Sequence, residues 1–235
     1  MKFQSINLKV LLILIASLIC INSGNAQEEA NEKTTFKSYA AGLYLGWYNP
    51  SLDYWKENSE FKDASWGGAI YVKGFYDLQI IKNLNGQIGV GYWQSSAEEE
   101  LQGFGSTKLL LTGVPISLDI MYHIEAIRVS IITPYVGIGG EYTFLQHKLN
   151  FEQVDDPDSV NGSTFTGNGA LGLEAKLSAN FAMDLEFRYK FGNYTQEFKK
   201  GTIDPENPDE PTFEIVEETI DLSGPFVGLS LKYLF

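Results

Sequence analysis

From Tyr39 onward, apolar residues alternate with polar or small ones at a period of two. Successive side chains of a strand point to opposite faces, so this pattern predicts strands with one continuous apolar face. In the stretch ending at Phe235, Val227, Leu229, Leu231, Tyr233 and Phe235 share one side. Phe226, Gly228, Ser230, Lys232 and Leu234 share the other. About ten residues is also the length of a tilted strand that crosses a bilayer.

Seven more strands follow the same rule. Tyr39–Trp47 sets Leu43, Leu45 and Trp47 against Gly42, Tyr44 and Gly46, and Asn49-Pro50 ends it. Trp66–Ile80 sets Ile70, Val72, Tyr76 and Leu78 against Tyr71, Lys73, Phe75 and Asp77. A tight turn at Asn83–Gly86 leads into Gln87–Gln94, where Ile88, Val90 and Tyr92 oppose Gly89, Gly91 and Trp93. Lys108–Tyr122 is the fourth strand. Its Pro115 has no donor for a ladder, which predicts a bulge there. Residues 123–133 carry no clear alternation. It resumes at Pro134, with Val136, Ile138, Tyr142 and Phe144 opposite Gly137, Gly139, Glu141 and Thr143. Thr166–Leu177 and the strand holding Met183, Leu185, Phe187, Tyr189 and Phe191 are separated only by Ser178-Ala179-Asn180.

The segments between strands alternate in length. Polar stretches at 49–65, 95–107, 146–165 and 195–218 predict long loops, and the connections between them are short or intermediate. The even strand count puts both termini on one side. This is the plan of an all-β, eight-stranded antiparallel up-and-down transmembrane barrel. Periodicity alone does not separate it from an inverted soluble barrel, but volume does. The apolar faces carry roughly thirty large side chains, more than the interior of an eight-stranded barrel holds. They therefore face lipid. The lumen then receives Lys73, Asp77, Asp119, Glu141, Glu174, Lys176, Asp184, Glu186, Arg188, Lys190 and Lys232. Six acids against five bases suit an internal ion-pair network, since buried charges persist when paired.

The region before the strands adds a compartment. Lys2 and Lys9 precede an apolar run from Val10 to Ile21, followed by Gly24-Asn25-Ala26. This is the layout of a secretory signal peptide cut ahead of Gln27, and the run is too short to span a membrane as a helix. Residues 1–26 are thus a leader, 27–38 a flexible lead and 39–235 the barrel domain. Cys20 lies inside the leader without the small preceding residue of a lipoprotein signal, so neither a lipid anchor nor a disulfide is expected. Removing the leader takes away two lysines and no acids. The 17 basic residues fall to 15 against 30 acidic ones, a net charge of −15. No basic stripe is present, which argues against nucleic acid as a partner. The excess acid falls in the external loops, chiefly 195–218, and makes them a candidate surface for an extracellular partner.

Three stretches resemble small outer-membrane barrels of the OmpA, OmpX, OmpW and opacity-protein type. They are Pro115-Ile116-Ser117-Leu118-Asp119, Pro134-Tyr135-Val136-Gly137-Ile138-Gly139 and Ser223-Gly224-Pro225-Phe226-Val227-Gly228-Leu229. The resemblance extends over the whole mature chain and implies a Gram-negative outer membrane with lipid as its solvent. It also implies that Leu231, Tyr233 and Phe235 form the signal read by the barrel assembly machinery. Members of the group are structural proteins, narrow channels, adhesins or, less often, lipid-modifying enzymes.

Candidate chemistry is sparse. His147-Lys148-Leu149-Asn150 lacks the serine of the His-x-Ser-Asn motif used by outer-membrane deacylases, and no serine is paired with a base. Asp155-Asp156-Pro157-Asp158 with Asn161-Gly162 misses the spacing of an EF-hand loop. No cofactor, metal site or catalytic residue is expected. The sequence reads as a non-enzymatic outer-membrane barrel with a structural or surface-interaction role and a lumen filled by charged side chains. A narrow porin-like channel is the second reading, and a lipid A-modifying enzyme the third.

Overall fold

The computed structural model describes residues 39–53, 67–101, 105–151, 158–204 and 207–235. Eight strands close into one antiparallel barrel. In chain order they are β1 (Tyr39–Tyr48), β2 (Ala69–Ile81), β3 (Leu84–Leu101), β4 (Gly105–His123), β5 (Ile132–Phe151), β6 (Asp158–Lys176) and β7 (Phe181–Phe191). The eighth is β10 (Gly224–Leu234). β8 (Asn193–Asp204) and β9 (Asn207–Asp221) form a separate hairpin between β7 and β10. Neighbours in sequence are neighbours in the wall, and β10 pairs with β1 from Ala40↔Leu234 to Tyr48↔Phe226. Closure leaves no barrel edge unpaired, as a wall in lipid requires.

The apolar faces point outward. Leu43, Leu118 and Ile138 are 63%, 65% and 70% exposed, whereas Lys73, Arg188 and Lys232 are 3%, 2% and 2% exposed. Aromatic side chains mark both rims of the apolar band. Tyr39 and Tyr76, with Phe181, Tyr233 and Phe235, lie at the end holding the termini. Trp47, Tyr92, Tyr142 and Phe144 lie at the other. The connections at the first rim are short. Asn83 takes a left-handed conformation (φ 68°) in the β2–β3 turn, and the β4–β5 connection holds a single 3-10 turn, Glu125–Ile127.

Several sequence expectations need correction. No bulge forms at Pro115. The β3–β4 register is the same on both sides, and only Gly91 and Tyr92, facing Pro115 and Val114 respectively, drop out of the ladder. The missing N–H opens the ladder without shifting it. The stretches 95–107 and 146–165 are largely strand, not loop, because β3, β4, β5 and β6 run on past the apolar band. Much of 195–218 is the β8–β9 hairpin. Above the band the outer face meets water, so the apolar signal fades while backbone pairing continues. Gly192 (φ 150°) turns the chain from β7 into this hairpin, and the Leu222 N–H donates to its carbonyl at 2.9 Å. The leader, the lead, the start of strand two at Trp66 and the Asp155–Pro157 segment lie outside the described residues.

Candidate functional site

The lumen is filled in layers. At its centre Arg188 donates from Nε to Glu186 at 3.0 Å and from Nη1 to Asp119 at 2.9 Å, with Glu141 at 3.9 Å. Lys73 lies 3.5 Å from Asp119, and Lys190 lies 2.6 Å from Glu141. Three acids and three bases balance here. Neutral groups add further hydrogen bonds. Tyr135 donates to Glu186 (3.0 Å), Asn168 to Asp119 (3.1 Å) and Tyr71 to Glu141 (3.4 Å).

Toward the termini a second cluster surrounds Lys232. Its ammonium lies 2.5 Å from Glu174, 2.9 Å from Asp184 and 3.6 Å from Asp77. His123 Nε2 lies 3.4 Å from Glu174, and Ser230 donates to Asp184 at 2.7 Å. Gln87 joins the two clusters by accepting from Lys73 (2.7 Å) and donating to Asp77 (2.8 Å). Here three carboxylates meet one lysine. A vestibule of about 350 Å³ opens below them, with His123, Glu174 and Lys232 in its lining. Lys176 also lines the vestibule, but it is exposed at the mouth and stands apart from these pairs. The paired lumen set is thus six acids with four bases.

Toward the other end the lumen turns aromatic and then aliphatic. Tyr44 stacks on Phe226 at 5.2 Å, Tyr71 meets Phe226 edge-on at 4.8 Å, and Tyr48 meets Trp93 at 5.3 Å. The Lys190 ammonium lies over the Tyr48 and Tyr71 rings at 4.6 and 4.5 Å, which adds a cation–π contact to its ion pair. Above the rings, Leu52, Leu111, Leu145, Tyr194, Ile220 and Leu222 are 2% exposed or less. Tyr48 donates its hydroxyl to the Leu222 carbonyl, which ties the hairpin base to the aromatic layer.

The lumen-facing aromatics are visible in the alternation, but the charges outweigh them there. The signal that finds them is the glycine on the neighbouring strand. A Cβ at Gly113 would overlap the Trp93 ring, one at Gly42 the Phe75 ring, and one at Gly172 the Tyr135 ring. Glycine thus makes room for large rings in a narrow barrel.

The two histidines lie at opposite ends. His123 is buried beside Glu174. His147, above the apolar band, is buried against Gln196 of the hairpin; burial outweighs that contact and pushes its imidazole down to about 4. Nearby Tyr194 is raised to about 12 by burial. At the far rim, Leu231 and Tyr233 point outward, and Phe235 packs on Tyr233 with ring centroids 5.1 Å apart. The Phe235 N–H donates to the Tyr39 carbonyl at 3.0 Å. Among the described residues no group of His, Cys, Asp and Glu is arranged to hold a metal ion.

A closed eight-stranded wall, apolar outside and charged inside, defines a transmembrane barrel of the Gram-negative outer membrane. Residues 13–215 match the family model described as outer membrane protein beta-barrel domain, and the chain belongs to that family. Among solved structures it is similar to the outer membrane protein OprG from Pseudomonas aeruginosa. The identity is 12%, the TM-score 0.59, and the match covers 85% of this chain and 96% of that one. It is also similar to a major outer membrane protein from Thermus thermophilus, at 11% identity, a TM-score of 0.50, and 84% and 99% coverage. These likenesses are of fold. No curated protein matches the sequence.

Proposed function

We propose that this protein is a non-enzymatic barrel with a closed lumen, a structural element of the outer membrane that presents its external strands and hairpin to surface partners. The observation that carries the reading is the stacking of two barriers. The central pairs around Arg188 cross the lumen, and the aromatic and leucine layers lie directly above them. An ion entering from the vestibule would have to break paired, desolvated charges and then cross an apolar plug, and each step is costly. The acidic external segments are the surface a partner would meet. Leu231, Tyr233 and Phe235 are the residues the assembly machinery would read. Solute flux tests the proposal. Liposomes carrying the purified barrel are expected to swell in small sugars no faster than empty liposomes, and faster swelling would overturn it.

The narrow-channel reading draws on the vestibule, which gives solutes a polar entrance reaching Glu174 and Lys232. It would require the layers above to open. An enzymatic role has less support, since His147 lies against Gln196 and the segment that follows it lacks the serine of the deacylase motif.

A further inference from the structure

The outer face of β1 to β4 carries a groove of about 500 Å³ at the external rim. A barrel wall is convex, so a groove needs missing side chains. Gly68 lets one wall of the groove lie down against the backbone. The Trp47 indole lies over its backbone, where a Cβ would overlap the ring. Trp47, Ile70, Val72 and Tyr92 wall the lower half and are 45–61% exposed. The upper half is polar, formed by Gln94, Ser96 and Lys108. Tyr92 donates to Gln94 Oε1 at 3.2 Å, which leaves the Gln94 amide N–H groups available as donors.

The groove therefore crosses the boundary between acyl chains and headgroups. Val72 pairs with Tyr92 and Lys108 with Glu98 across their ladders. Tyr92 to Glu98 is six steps along β3, about 20 Å at strand rise. That length accommodates a headgroup and the upper part of an acyl chain. The charge is also placed for an anion. Lys108 is exposed and, among the described residues, joins no ion pair, although Glu98 stands opposite it. The chain has almost twice as many acids as bases, so a cation at the headgroup level that joins no ion pair among the described residues is set apart from the rest. A lysine at a membrane surface attracts anionic lipid, and tyrosine and tryptophan rings favour this depth.

We propose that this groove holds one phosphorylated lipid of net negative charge from the outer leaflet, its acyl chain along Ile70 and Val72 and its phosphate at Lys108. Gln94 and Ser96 donate to the phosphate oxygens, and the Trp47 and Tyr92 rings flank the chain. The bound lipid would be a fixed part of the outer surface, distinct from the exchanging annulus.

Native mass spectrometry of the purified full barrel tests this, with lipid A and phosphatidylcholine supplied in equal amounts. Wild type is expected to retain one lipid A and no phosphatidylcholine. Lys108→Ala should lower retention about tenfold, the loss of one charge-assisted contact, and Lys108→Arg should restore it. Lys148→Ala, which removes an outward lysine at a similar height on β5, should leave retention unchanged. Heat-modifiable migration verifies that each variant is folded. Equal retention of the two lipids by wild type would overturn the proposal, as would equal loss in the Lys108 and Lys148 variants.

Discussion

Arg188 on β7 donates to Asp119 on β4 at 2.9 Å, joining strands that stand three places apart around the wall. Backbone ladders connect only adjacent strands, so this pair and its neighbours brace the barrel across its interior. Both side chains are at most 3% exposed, so neither charge can turn to water if its partner is removed.

Arg188→Ala should therefore leave Asp119, Glu141 and Glu186 short of a cation and lower stability by about 3–5 kcal/mol. Lys176→Ala should cost about 0.5 kcal/mol or less, because Lys176 is exposed at the vestibule mouth. Urea titrations of both variants folded in lipid vesicles check the contrast. Equal effects would show that the central pairs are not bracing the wall.

The lipid face gives an independent prediction. Leu185 is 50% exposed in the middle of β7, while its neighbour Glu186 is 4% exposed in the lumen. Leu185→Arg should destabilise by about 2–4 kcal/mol, the cost of arginine near the bilayer midplane. Glu186→Gln should instead weaken the Arg188 pairing and be insensitive to bilayer thickness. Folding titrations in vesicles of two thicknesses separate the two effects.

These residues also indicate what the sequence carried. Leu185 and Glu186 announce opposite faces by period alone, and the barrel, its strand count and its inward charges follow from that. The length of β3, β4, β5 and β6 above the apolar band was not legible, because water on the outer face removes the alternating signal. The β8–β9 hairpin was hidden in the same way, and its acidic, proline-bearing sequence reads as loop. Lys176 sits on the lumen side of its strand, and only the height of the rim shows that it is exposed. Gln87, Asn168 and Ser230 were missed because a search for charges passes over the neutral groups that satisfy them.

The hairpin should respond to acid through His147. Its folded imidazole is held near 4, below the ordinary value of 6.5. The undocked form takes up a proton first, so docking is fully stable above about pH 6.5 and weakens as pH falls toward 4. Hydrogen exchange at Tyr194 and Ile220, corrected for intrinsic rates, should show less protection at pH 5 than at pH 7.5. His147→Gln should remove the difference. A pH-independent wild type would contradict this role for the imidazole.

Phe235 should matter more for assembly than for final stability. It packs on Tyr233 at the rim and is only half-buried, so its loss removes little contact from the folded barrel. Removing Phe235 should lower the folded amount in cells, while refolding of purified protein in detergent stays near normal. An equal fall in both would make it an ordinary packing residue.

The closed lumen is tested most directly by the current through single barrels in a planar bilayer. With the Arg188 pairs and the aromatic layer intact, wild type should insert without discrete conductance steps above the bare bilayer. Reproducible, long-lived steps from folded wild-type protein would contradict the account and favour the channel.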